Sequence, residues 1–365
     1  MKRIKVELGE RSYSIIIGFG LLDRVGEIVE GLNLGDSVFL VSQMPISSLY
    51  GDRCVESFKR EGFSVRCSLF GEEEKDKSWE SLQMVLSEMV RFDEPGKKRC
   101  FVATLGGGVV GDLGGFASAI YKRGIDYIQI PTTLLSNVDA GIGGKCAINF
   151  CGIKNLVGSF HQPRLVLSDL SLLSSLPKKE ILSAMAEIVK YGVICDEKFF
   201  AYIEDNFEKI LLLEPSSLRY VVSSCYKMKA DIVAKDERDT KGIRARLNFG
   251  HTIGHAIENT YKLSHGEAVS VGMIAASSIA CHLGMFAREE KDRLEDLLKR
   301  IGLCTKIKGS ESQKIMSALL HDKKFLGKTR LVLPNRIGEV KVVDGIEESL
   351  IQTAIEERME RCSML

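Results

Sequence analysis

The sequence predicts an α/β domain with a parallel, Rossmann-like sheet, followed by an all-α domain. Short apolar runs alternate with longer segments of helical periodicity up to about Asp169, and nearly everything from Pro177 to Gly302 has helical periodicity. The length of 365 residues, of which 45% are hydrophobic, suits two domains of ordinary size. We therefore place the α/β domain at residues 1–175 and the helical domain at residues 176–365.

The α/β domain begins with a β-hairpin, predicted at residues 4–8 and 13–17 because polar and apolar residues alternate in its first arm. Short apolar runs then mark the strands of the parallel sheet. The segments between them, such as 81–92, carry apolar residues at helical spacing. The predicted parallel strands are 37–42, 64–69, 100–105 and 127–131.

The helical domain begins near Pro177, because proline is favoured in the first turn of a helix. Its residues 268–287 include no Asp, Glu, Lys or Arg over twenty positions, which is long enough to span a membrane. Gly272, Ser277 and His282 make this stretch less apolar, and no second span accompanies it. We interpret it as a helix buried in the core of the domain.

The charge and the cysteines exclude several classes of protein. Fifty Lys and Arg residues against 49 Asp and Glu residues leave a net charge of +1, which gives no overall field for nucleic acid or an anionic membrane. Ten cysteines without a C-x-x-C pair, and Glu7 and Glu10 where a signal peptide needs an apolar core, indicate a cytoplasmic location. We expect a small-molecule ligand, with neither nucleic acid nor a membrane as a partner.

A glycine-rich turn at residues 106–112 directly follows the predicted strand 100–105 and precedes a helical pattern. Glycines let the backbone approach a phosphate, and the N-terminus of a helix offers free N–H groups. The acidic residue expected at the end of the next strand, for the ribose of a dinucleotide, is absent from residues 127–133. The turn is either a nucleotide site that departs from the Rossmann pattern or a tight turn without a ligand.

A second segment, residues 139–145, combines three glycines with Lys145, and Lys154 and Asn155 follow it. Lysines beside exposed backbone suit a phosphate or a carboxylate. A purely structural loop explains the segment equally well, so it supports no assignment by itself.

Three of the six histidines fall within fifteen residues. His251 and His255 stand at i, i+4 on one helical face, which is the spacing of a zinc-binding pair and also fits a structural network; His265 follows. Glu187 lies within an apolar helical segment and is the best candidate for a carboxylate ligand, because a charge there is costly unless paired or bound to metal. The alternative for Glu187 is a simple helix salt bridge with Lys190.

Taken together, these segments resemble the 3-dehydroquinate synthase family of sugar phosphate cyclases, and the match runs over most of the chain. The motifs are specific in combination. They lie at residues 106–112, 123–124, 129–135, 138–139 with 143–145, 154–156, 186–192, 247–258 and 265–269. The resemblance implies the dehydroquinate synthase-like fold, NAD+ and Zn2+ or Co2+ as cofactors, and a homodimer.

The resemblance also implies roles for individual residues. The zinc ligands would be Glu187, His251 and His265, which replaces the i, i+4 pair as the metal site, and His255 would face the substrate. The cofactor-binding residues would be Glu72, Lys75, Gly107, Gly108, Val109, Val110, Gly111, Asp112, Thr132, Thr133, Asp139, Lys145 and Lys154. The catalytic and substrate-binding residues would be Arg123, Lys145, Asn155, Lys190, Lys229, Arg244, Asn248 and His255, with Lys323 or Lys324.

Two positions depart from the family pattern. Gln43 stands where the family commonly has Asp or Asn near the adenosine ribose, and Asp239 stands where it usually has Glu, so we assign neither to the site. Lys75 is followed by Asp76 and Lys77, so this loop aligns less closely with the family than the zinc region does.

In the family's reaction, NAD+ transiently oxidises a hydroxyl of 3-deoxy-D-arabino-heptulosonate 7-phosphate, phosphate is eliminated, the hydride returns, and an intramolecular aldol closure gives 3-dehydroquinate. The dense set of cations fits a substrate that carries a phosphate and a carboxylate. Other hypotheses are a cyclase that makes an inosose or a valiolone-like ring, a zinc-dependent polyol dehydrogenase, and a ligand-binding regulator that retains the fold. A dehydrogenase would accumulate NADH, whereas a cyclase would not.

Overall fold

A computed structural model describes residues 1–94, 98–309, 311–326 and 330–360, except for the side chains of residues 320–326. The chain forms two compact units. The first contains Met1–Leu176 together with Leu218–Arg238, and the second contains Pro177–Ser217 and Asp239–Leu365. The predicted domains, residues 1–175 and 176–365, stay a prediction. They did not anticipate that the chain returns to the first unit at Leu218–Arg238.

The first unit is built around a seven-stranded sheet. Its elements in chain order are β1 (Lys2–Val6), β2 (Tyr13–Gly18), α1 (Val25–Glu30), β3 (Ser37–Gln43), α2 (Met44–Ile46), α3 (Asp52–Arg60), β4 (Ser64–Phe70), α4 (Trp79–Asp93), β5 (Cys100–Gly106), α5 (Gly108–Ile120), β6 (Tyr127–Pro131), β7 (Lys145–Phe150), β8 (Ile153–Phe160) and β9 (Leu165–Asp169). The strand order is β1-β2-β9-β6-β5-β3-β4, and within this sheet only β1 and β2 pair antiparallel. The predicted parallel α/β architecture is confirmed.

The sheet is covered on both faces. Strands β3 and β6 are buried at every residue, which is typical of central strands in a parallel sheet. Successive side chains of β3 alternate between the faces: Leu40 packs with the buried residues of α1 and α3, whereas Phe39 and Val41 pack with those of α4 and α5. This packing fixes the carboxyl ends of the strands, where the glycine-rich turn follows β5.

Glycines hold α5 close to its neighbours. A Cβ atom on Gly114 would lie 2.5 Å from Cγ2 of Thr104 in β5, and one on Gly115 would lie 2.4 Å from Sγ of Cys146 in β7. A larger residue at either position would push the helix away from the strands. The close approach therefore sets where the N-terminus of α5 lies relative to the end of β5.

The second unit is mainly helical, as predicted. The remaining elements are α6 (Lys178–Cys195), α7 (Glu197–Leu211), α8 (Pro215–Lys235), α9 (His251–Tyr261), α10 (His265–His282), α11 (Arg288–Ile301), β10 (Ile307–Lys308), α12 (Ser312–Leu326), β11 (Arg330–Arg336), β12 (Glu339–Asp344), α13 (Glu348–Glu356) and β13 (Met359–Glu360). Of these, α8 belongs to the first unit from Leu218 onward. The domain is not purely α, because β10 pairs with β13 and β11 with β12. The apolar run of β11 is short and contains Pro334, so its sequence gives only a weak strand signal.

Helix α10 is the buried core helix that the sequence predicts at residues 268–287. Every residue from Ala268 to Ala280 is buried, and the helix ends at His282. None of the helices in the described residues combines the length and the apolar character needed to cross a bilayer.

Two glycines fix the packing of α10 in the second unit. A Cβ atom on Gly266 would lie 2.3 Å from the backbone oxygen of Ser183 in α6, and one on Gly272 would lie 2.0 Å from the backbone oxygen of Gly250, just before α9. The N–H of Gly266 also donates a 2.9 Å hydrogen bond to Oγ of Ser183. The close contacts bring the first turns of α9 and α10 against the middle of α6.

Candidate functional site

The glycine-rich turn of the first unit has the geometry of an anion-binding site. Gly107 precedes α5, and Val109 and Val110 lie in its first turn, so the first N–H groups of this helix have no carbonyl partner within it. A Cβ atom on Gly107 would lie 3.1 Å from Cγ2 of Thr133, and one on Gly111 would lie 2.5 Å from Nε2 of Gln129. A shallow cavity at this point is lined by Thr104, Gly106, Gly107, Gly108, Gly111, Gln129, Pro131, Ser136, Ala140 and Gly141.

Two threonines follow β6 at the edge of this turn. Thr132 is buried, its N–H donates to the backbone oxygen of Gly106 at 3.0 Å, and its Oγ1 has no hydrogen-bond partner within the described part of the chain. Oγ1 of Thr133 instead bonds to Oγ of Ser136 at 2.7 Å. A buried hydroxyl without a partner is rare in folded proteins, and beside a glycine turn it fits a bound polar ligand such as a dinucleotide.

The loop after β4 brings a different lysine to this region from the one predicted. Lys75 is exposed and pairs with Glu73 at 2.9 Å. Lys77 is buried, and its Nζ lies 3.0 Å from Oδ2 of Asp112, 3.1 Å from Oε1 of Glu74 and 2.6 Å from Oδ1 of Asn155. Lys77 therefore connects two of the predicted site residues, and its position two residues after Lys75 was the only hint of this in the sequence.

The charges around Lys77 influence one another. Burial lowers the pKa of Lys77, but Asp112 and Glu74 outweigh burial and raise that pKa above its ordinary value. Burial raises the pKa of Asp112 to about 6, although Lys77 acts in the opposite direction. The Lys77–Asp112 ion pair is therefore complete only above about pH 6.

We expect Lys77→Met to lower the free energy of unfolding by about 2 kcal/mol, because it leaves the partly buried carboxylates of Asp112 and Glu74 without their shared cation. Lys75→Met is the matched control, and its effect should stay within about 0.5 kcal/mol because Lys75 is exposed. Urea denaturation of the two variants at pH 7.5 measures both values. Equal losses in the two variants would contradict the central role of Lys77.

The other predicted residues of the first unit lie in four places. Lys229 of α8 donates from Nζ to both the backbone oxygen and Oδ1 of Asp139, each at 2.7 Å, so these two predicted residues contact one another. Lys145 and Lys154 are exposed on the hairpin formed by β7 and β8. Arg123, with a φ of +68°, follows α5 and lines a groove with Lys98, Arg99 and Lys122. Glu72 is exposed after β4.

A cluster of metal-ligating side chains lies in the second unit. Glu187 comes from α6, His251 from the first residue of α9, and His265 from the first residue of α10. Nε2 of His251 and Nε2 of His265 each lie 3.2 Å from Oε1 of the buried Glu187. Three helices therefore bring two imidazole nitrogens to one carboxylate oxygen.

Partners on the far side of each ring orient the two histidines. Nδ1 of His251 lies 3.1 Å from the backbone oxygen of Phe249, and Nδ1 of His265 lies 3.4 Å from Oε2 of Glu258. A proton on each Nδ1 satisfies these acceptors and leaves the Nε2 lone pairs directed at the cluster, which is the tautomer that binds a metal ion. The sequence motif contains Glu258 but assigns it no role; only the fold indicates its contact with His265.

The charge of Glu187 is stabilised in the absence of metal. Burial alone would raise its pKa, but Lys190, at 2.5 Å from Oε2, and His251 hold that pKa well below its ordinary value. Burial would lower the pKa of His265, but hydrogen bonds to Glu187 and Glu258 raise it to about 10. The salt bridge between Glu187 and Lys190 and the histidine cluster are thus both present, and they share one carboxylate.

The cluster fits a divalent metal ion. Ligands about 2.0 Å from a tetrahedral zinc ion lie about 3.3 Å apart, close to the 3.2 Å that separates each Nε2 from Oε1 of Glu187. One imidazole from each of two helices and a carboxylate form an N,N,O set that leaves a fourth position open. The ligand atoms of His255, Glu258 and His265 also lie within 4.8 Å of one another, so His265 belongs to two possible groups. His251 and His255, the pair at i, i+4, belong to different groups: His251 to the group with Glu187, and His255 to the group with Glu258.

The remaining predicted residues surround the start of α9. Arg244 is buried and Asn248 is exposed, both in the turn of helix at Ile243–Asn248. His255 is exposed, and its ring centroid lies 5.3 Å from that of His251. The side chains of Lys323 and Lys324 lie outside the described residues.

Comparison with known proteins identifies relatives along the whole chain. Models of the 3-dehydroquinate synthase N-terminal and C-terminal regions match residues 68–183 and 184–325. The chain is 41% identical over 356 residues to the 3-dehydroquinate synthase of Desulforamulus reducens, covering 96% of this chain and 98% of that protein.

Two solved structures have the same fold. One is the 2-epi-5-epi-valiolone synthase from Streptomyces hygroscopicus subsp. jinggangensis 5008 with NAD+ and Zn2+ bound, 25% identical with a TM-score of 0.86, covering 96% of this chain and 98% of that one. The other is a 2-deoxy-scyllo-inosose synthase complexed with carbaglucose-6-phosphate, NAD+ and Co2+, 25% identical with a TM-score of 0.87, covering 98% and 100%. The fold and these relatives place the chain in the class of sugar phosphate cyclases.

Within that class, the matches to both family models and the identity to curated relatives are decisive. The chain belongs to the 3-dehydroquinate synthase family, and the resemblance predicted from its motifs is confirmed.

Proposed function

We propose that this protein converts 3-deoxy-D-arabino-heptulosonate 7-phosphate to 3-dehydroquinate and phosphate, a step of the shikimate pathway to chorismate and the aromatic amino acids. The observation that carries the proposal is the approach of His251 and His265 to one oxygen of Glu187, in a chain 41% identical to a 3-dehydroquinate synthase. The reaction is redox-neutral overall, so the oxidising cofactor is needed only in catalytic amount. Nine cysteines in the described part of the chain form no disulfide, which also supports a cytoplasmic location.

The residues that would hold Zn2+ or Co2+ are Glu187, His251 and His265. The partners of the two histidines, Phe249 and Glu258, select the metal-binding tautomer, and solved relatives contain Zn2+ or Co2+. When bound, the metal ion supplies a Lewis acid for the substrate hydroxyls at its open position. Glu258 would then orient His265 without touching the metal.

The glycine-rich turn after β5 would hold NAD+, which accepts a hydride from the substrate and returns it. The N-terminus of α5 and the hydroxyl of Thr132 offer donors to its phosphates, and both cited solved relatives contain NAD+. Lys77 and Asp112 would position the start of α5 beside it. The cofactor-binding residues that we propose are Lys77 together with Glu72, Lys75, Gly107, Gly108, Val109, Val110, Gly111, Asp112, Thr132, Thr133, Asp139, Lys145 and Lys154.

Two residues near the metal cluster would act on the substrate. Lys190 is buried and held by Glu187, so its ammonium has a defined position from which to polarise a substrate oxygen. His255 is exposed on the same helix as His251, so it can exchange a proton with the substrate and with water. The substrate-binding residues that we propose for the phosphate and the carboxylate are Arg123, Lys145, Asn155, Lys229, Arg244 and Asn248.

We also propose a homodimer. Strand β8 has no buried residue, and its apolar residues Ile153 and Leu156 are 51% and 52% exposed, which is unusual for large apolar side chains on a strand. Covering this strand with a second copy would remove an exposed apolar edge, and Arg123 in its cationic groove would reach the partner's site. Sedimentation velocity at micromolar concentration tests the proposal: a dimer is expected, and a single monomeric species would contradict it.

The direct test is phosphate release from 3-deoxy-D-arabino-heptulosonate 7-phosphate with catalytic NAD+ and added Zn2+, while NADH absorbance is followed in the same cuvette. We expect phosphate in many-fold excess over NAD+ and no lasting NADH. Steady accumulation of NADH would instead indicate a dehydrogenase. Absence of phosphate release would contradict the proposed substrate.

The second candidate is a cyclase for another sugar phosphate, because the solved relatives include inosose and valiolone synthases at 25% identity. The higher identity to 3-dehydroquinate synthases and the Lys77–Asn155 contact beside exposed Lys154 favour a carboxylated substrate. Glucose 6-phosphate and sedoheptulose 7-phosphate, which have no carboxylate, should give no phosphate in the same assay.

A further inference from the structure

A bulge in strand β8 carries two of the proposed site residues. Residues 154–156 of β8 stand opposite Asn149 of β7 alone, because the register of the β7–β8 ladder shifts at this point. A bulge of this kind changes the direction in which its side chains point. It contains Lys154 and Asn155, and Asn155 has a φ of +55°, a left-handed conformation that is uncommon outside glycine. The bulge therefore needs support from neighbouring groups to keep its shape.

Asn149 provides that support through its half-buried side-chain amide. Its Oδ1 accepts the N–H of Asn155 at 2.9 Å. Its Nδ2 donates to the backbone oxygen of Glu74 at 2.9 Å and to Oε1 of Glu74 at 3.0 Å. The backbone N–H of Asn149 also donates to the backbone oxygen of Lys77 at 2.8 Å. One residue thus joins the bulge of β8 to the loop that follows β4.

The same loop also fixes the side chain of Asn155. Nζ of Lys77 donates to Oδ1 of Asn155 at 2.6 Å and lies 3.1 Å from Oε1 of Glu74, the carboxylate oxygen that Asn149 also contacts. With Oδ1 bound to Lys77, the group that the exposed Asn155 offers to a ligand is its Nδ2, a donor. A donor suits the phosphate or hydroxyl oxygens of a sugar phosphate.

We propose that Asn149 is a positioning residue, whose amide holds the bulge of β8 in the conformation that presents Asn155 to the sugar phosphate. The inference deepens the proposed function and rests on it, since it assumes that Asn155 contacts the substrate. Asn149 acts through Asn155 and takes no part in the chemical steps. The competing explanation is a purely structural role, which predicts a loss of stability without a selective change in the KM for the substrate.

Phosphate release by Asn149→Ala at saturating NAD+ tests the inference. We expect the KM for 3-deoxy-D-arabino-heptulosonate 7-phosphate to rise about tenfold, the effect of one well-placed hydrogen bond to Asn155, and kcat to stay within about threefold. Asn206→Ala is the matched control. Asn206 is also half-buried, and its amide donates to the backbone oxygen of Tyr202 at 3.0 Å and accepts from Nζ of Lys209 at 3.1 Å, outside the proposed site. Its KM should not change.

A second set of variants keeps the inference testable if Asn149→Ala does not fold. Asn149→Asp replaces the donor to Glu74 with a carboxylate that repels it, and Glu74→Gln in the same chain supplies a donor in return. We expect Asn149→Asp alone to raise the KM about tenfold, and the double variant to return it to within about threefold of the unmodified protein. Loss of packing alone would not be reversed by this exchange.

The outcomes distinguish this inference from the proposed function. An unchanged KM in Asn149→Ala, an equal rise in Asn206→Ala, or no recovery in the double variant would overturn the role of Asn149 and leave the proposed function intact. No phosphate release by the unmodified protein would instead contradict the proposed function. Hydrogen exchange of residues 151–157 then tests the support of the bulge: we expect faster exchange in Asn149→Ala than in Asn206→Ala, and equal exchange would overturn the inference.

Discussion

His265→Ala is expected to lose its bound zinc and its turnover together. His265 contributes one of the two nitrogens that approach Oε1 of Glu187, and its removal leaves only two ligands for the metal. Loss of an outer partner of a metal ligand typically weakens binding by about 10–100-fold, so loss of a ligand should exceed about 100-fold. Metal analysis after dialysis against a weak chelator, with phosphate release as the activity measurement, checks both effects.

His255→Ala is the matched control, because it removes an imidazole from the same cluster that we do not assign to the metal. It should retain about the zinc content of the unmodified protein and lose turnover. His265 also belongs to the group with His255 and Glu258, so its loss alone does not tell the two possible metal sites apart. Comparing His251→Ala with His255→Ala does, because each histidine belongs to only one of the two groups. Equal loss of zinc from His255→Ala and His251→Ala would contradict the assignment of Glu187, His251 and His265.

Gly266→Ala is expected to destabilise the second unit by about 3 kcal/mol, at the upper end for an overpacked core position. The added Cβ would lie 2.3 Å from a backbone oxygen and 2.5 Å from Cα of Ser183, and backbone atoms cannot move aside as a flexible side chain can. The first turn of α10 would shift away from α6 and carry His265 away from Glu187. We therefore expect weaker zinc binding although every ligand is present.

Urea denaturation and a zinc-competition titration measure the two effects of Gly266→Ala. Gly31→Ala is the control, since a Cβ atom there meets nothing closer than a backbone oxygen at 4.0 Å. Its effect should be within about 0.5–1 kcal/mol and without consequence for zinc. Unchanged stability and unchanged zinc affinity in Gly266→Ala would mean that the packing of α10 on α6 does not hold the cluster together.

Strands β3, β5 and β6 were predictable because most of their residues are apolar and buried. The predicted strands 37–42, 64–69, 100–105 and 127–131 match β3 to β6 within one residue at each end. The hairpin of β7 and β8 was not predicted, because β8 is exposed along its length and mixes polar with apolar residues. Burial on both faces favours a continuous apolar run in the sequence, whereas exposure on both faces does not. Strand β9 is also buried at every residue but was not predicted, because its apolar run is only three residues long.

The candidate metal cluster shows a different limit of the sequence. Helical spacing pairs His251 with His255, because the sequence periodicity reveals only residues that are neighbours on the same helix. The cluster instead joins the first residues of two helices with Glu187 of a third, and those contacts depend on glycine packing that no periodicity reveals. The family resemblance supplied the assignment of Glu187, His251 and His265. The contact of Lys77 with Asp112 was not predicted for a similar reason, because Lys75 and Lys77 have the same side chain and differ in burial. The role of Lys75 at the cofactor stays a prediction.

The return of the chain at Leu218–Arg238 imposes an order on synthesis. Tyr226 is fully buried in the first unit and Lys229 is bonded to Asp139, so the first unit lacks part of its interior until this segment has left the ribosome. Helices α6 and α7, which belong to the second unit, are translated before that moment. A domain made of one contiguous segment can finish folding before the next domain is translated. The N-terminal unit cannot, because part of the second unit leaves the ribosome before the first unit is complete. A gene fragment that stops at residue 175 should yield an incomplete, aggregation-prone product for the same reason.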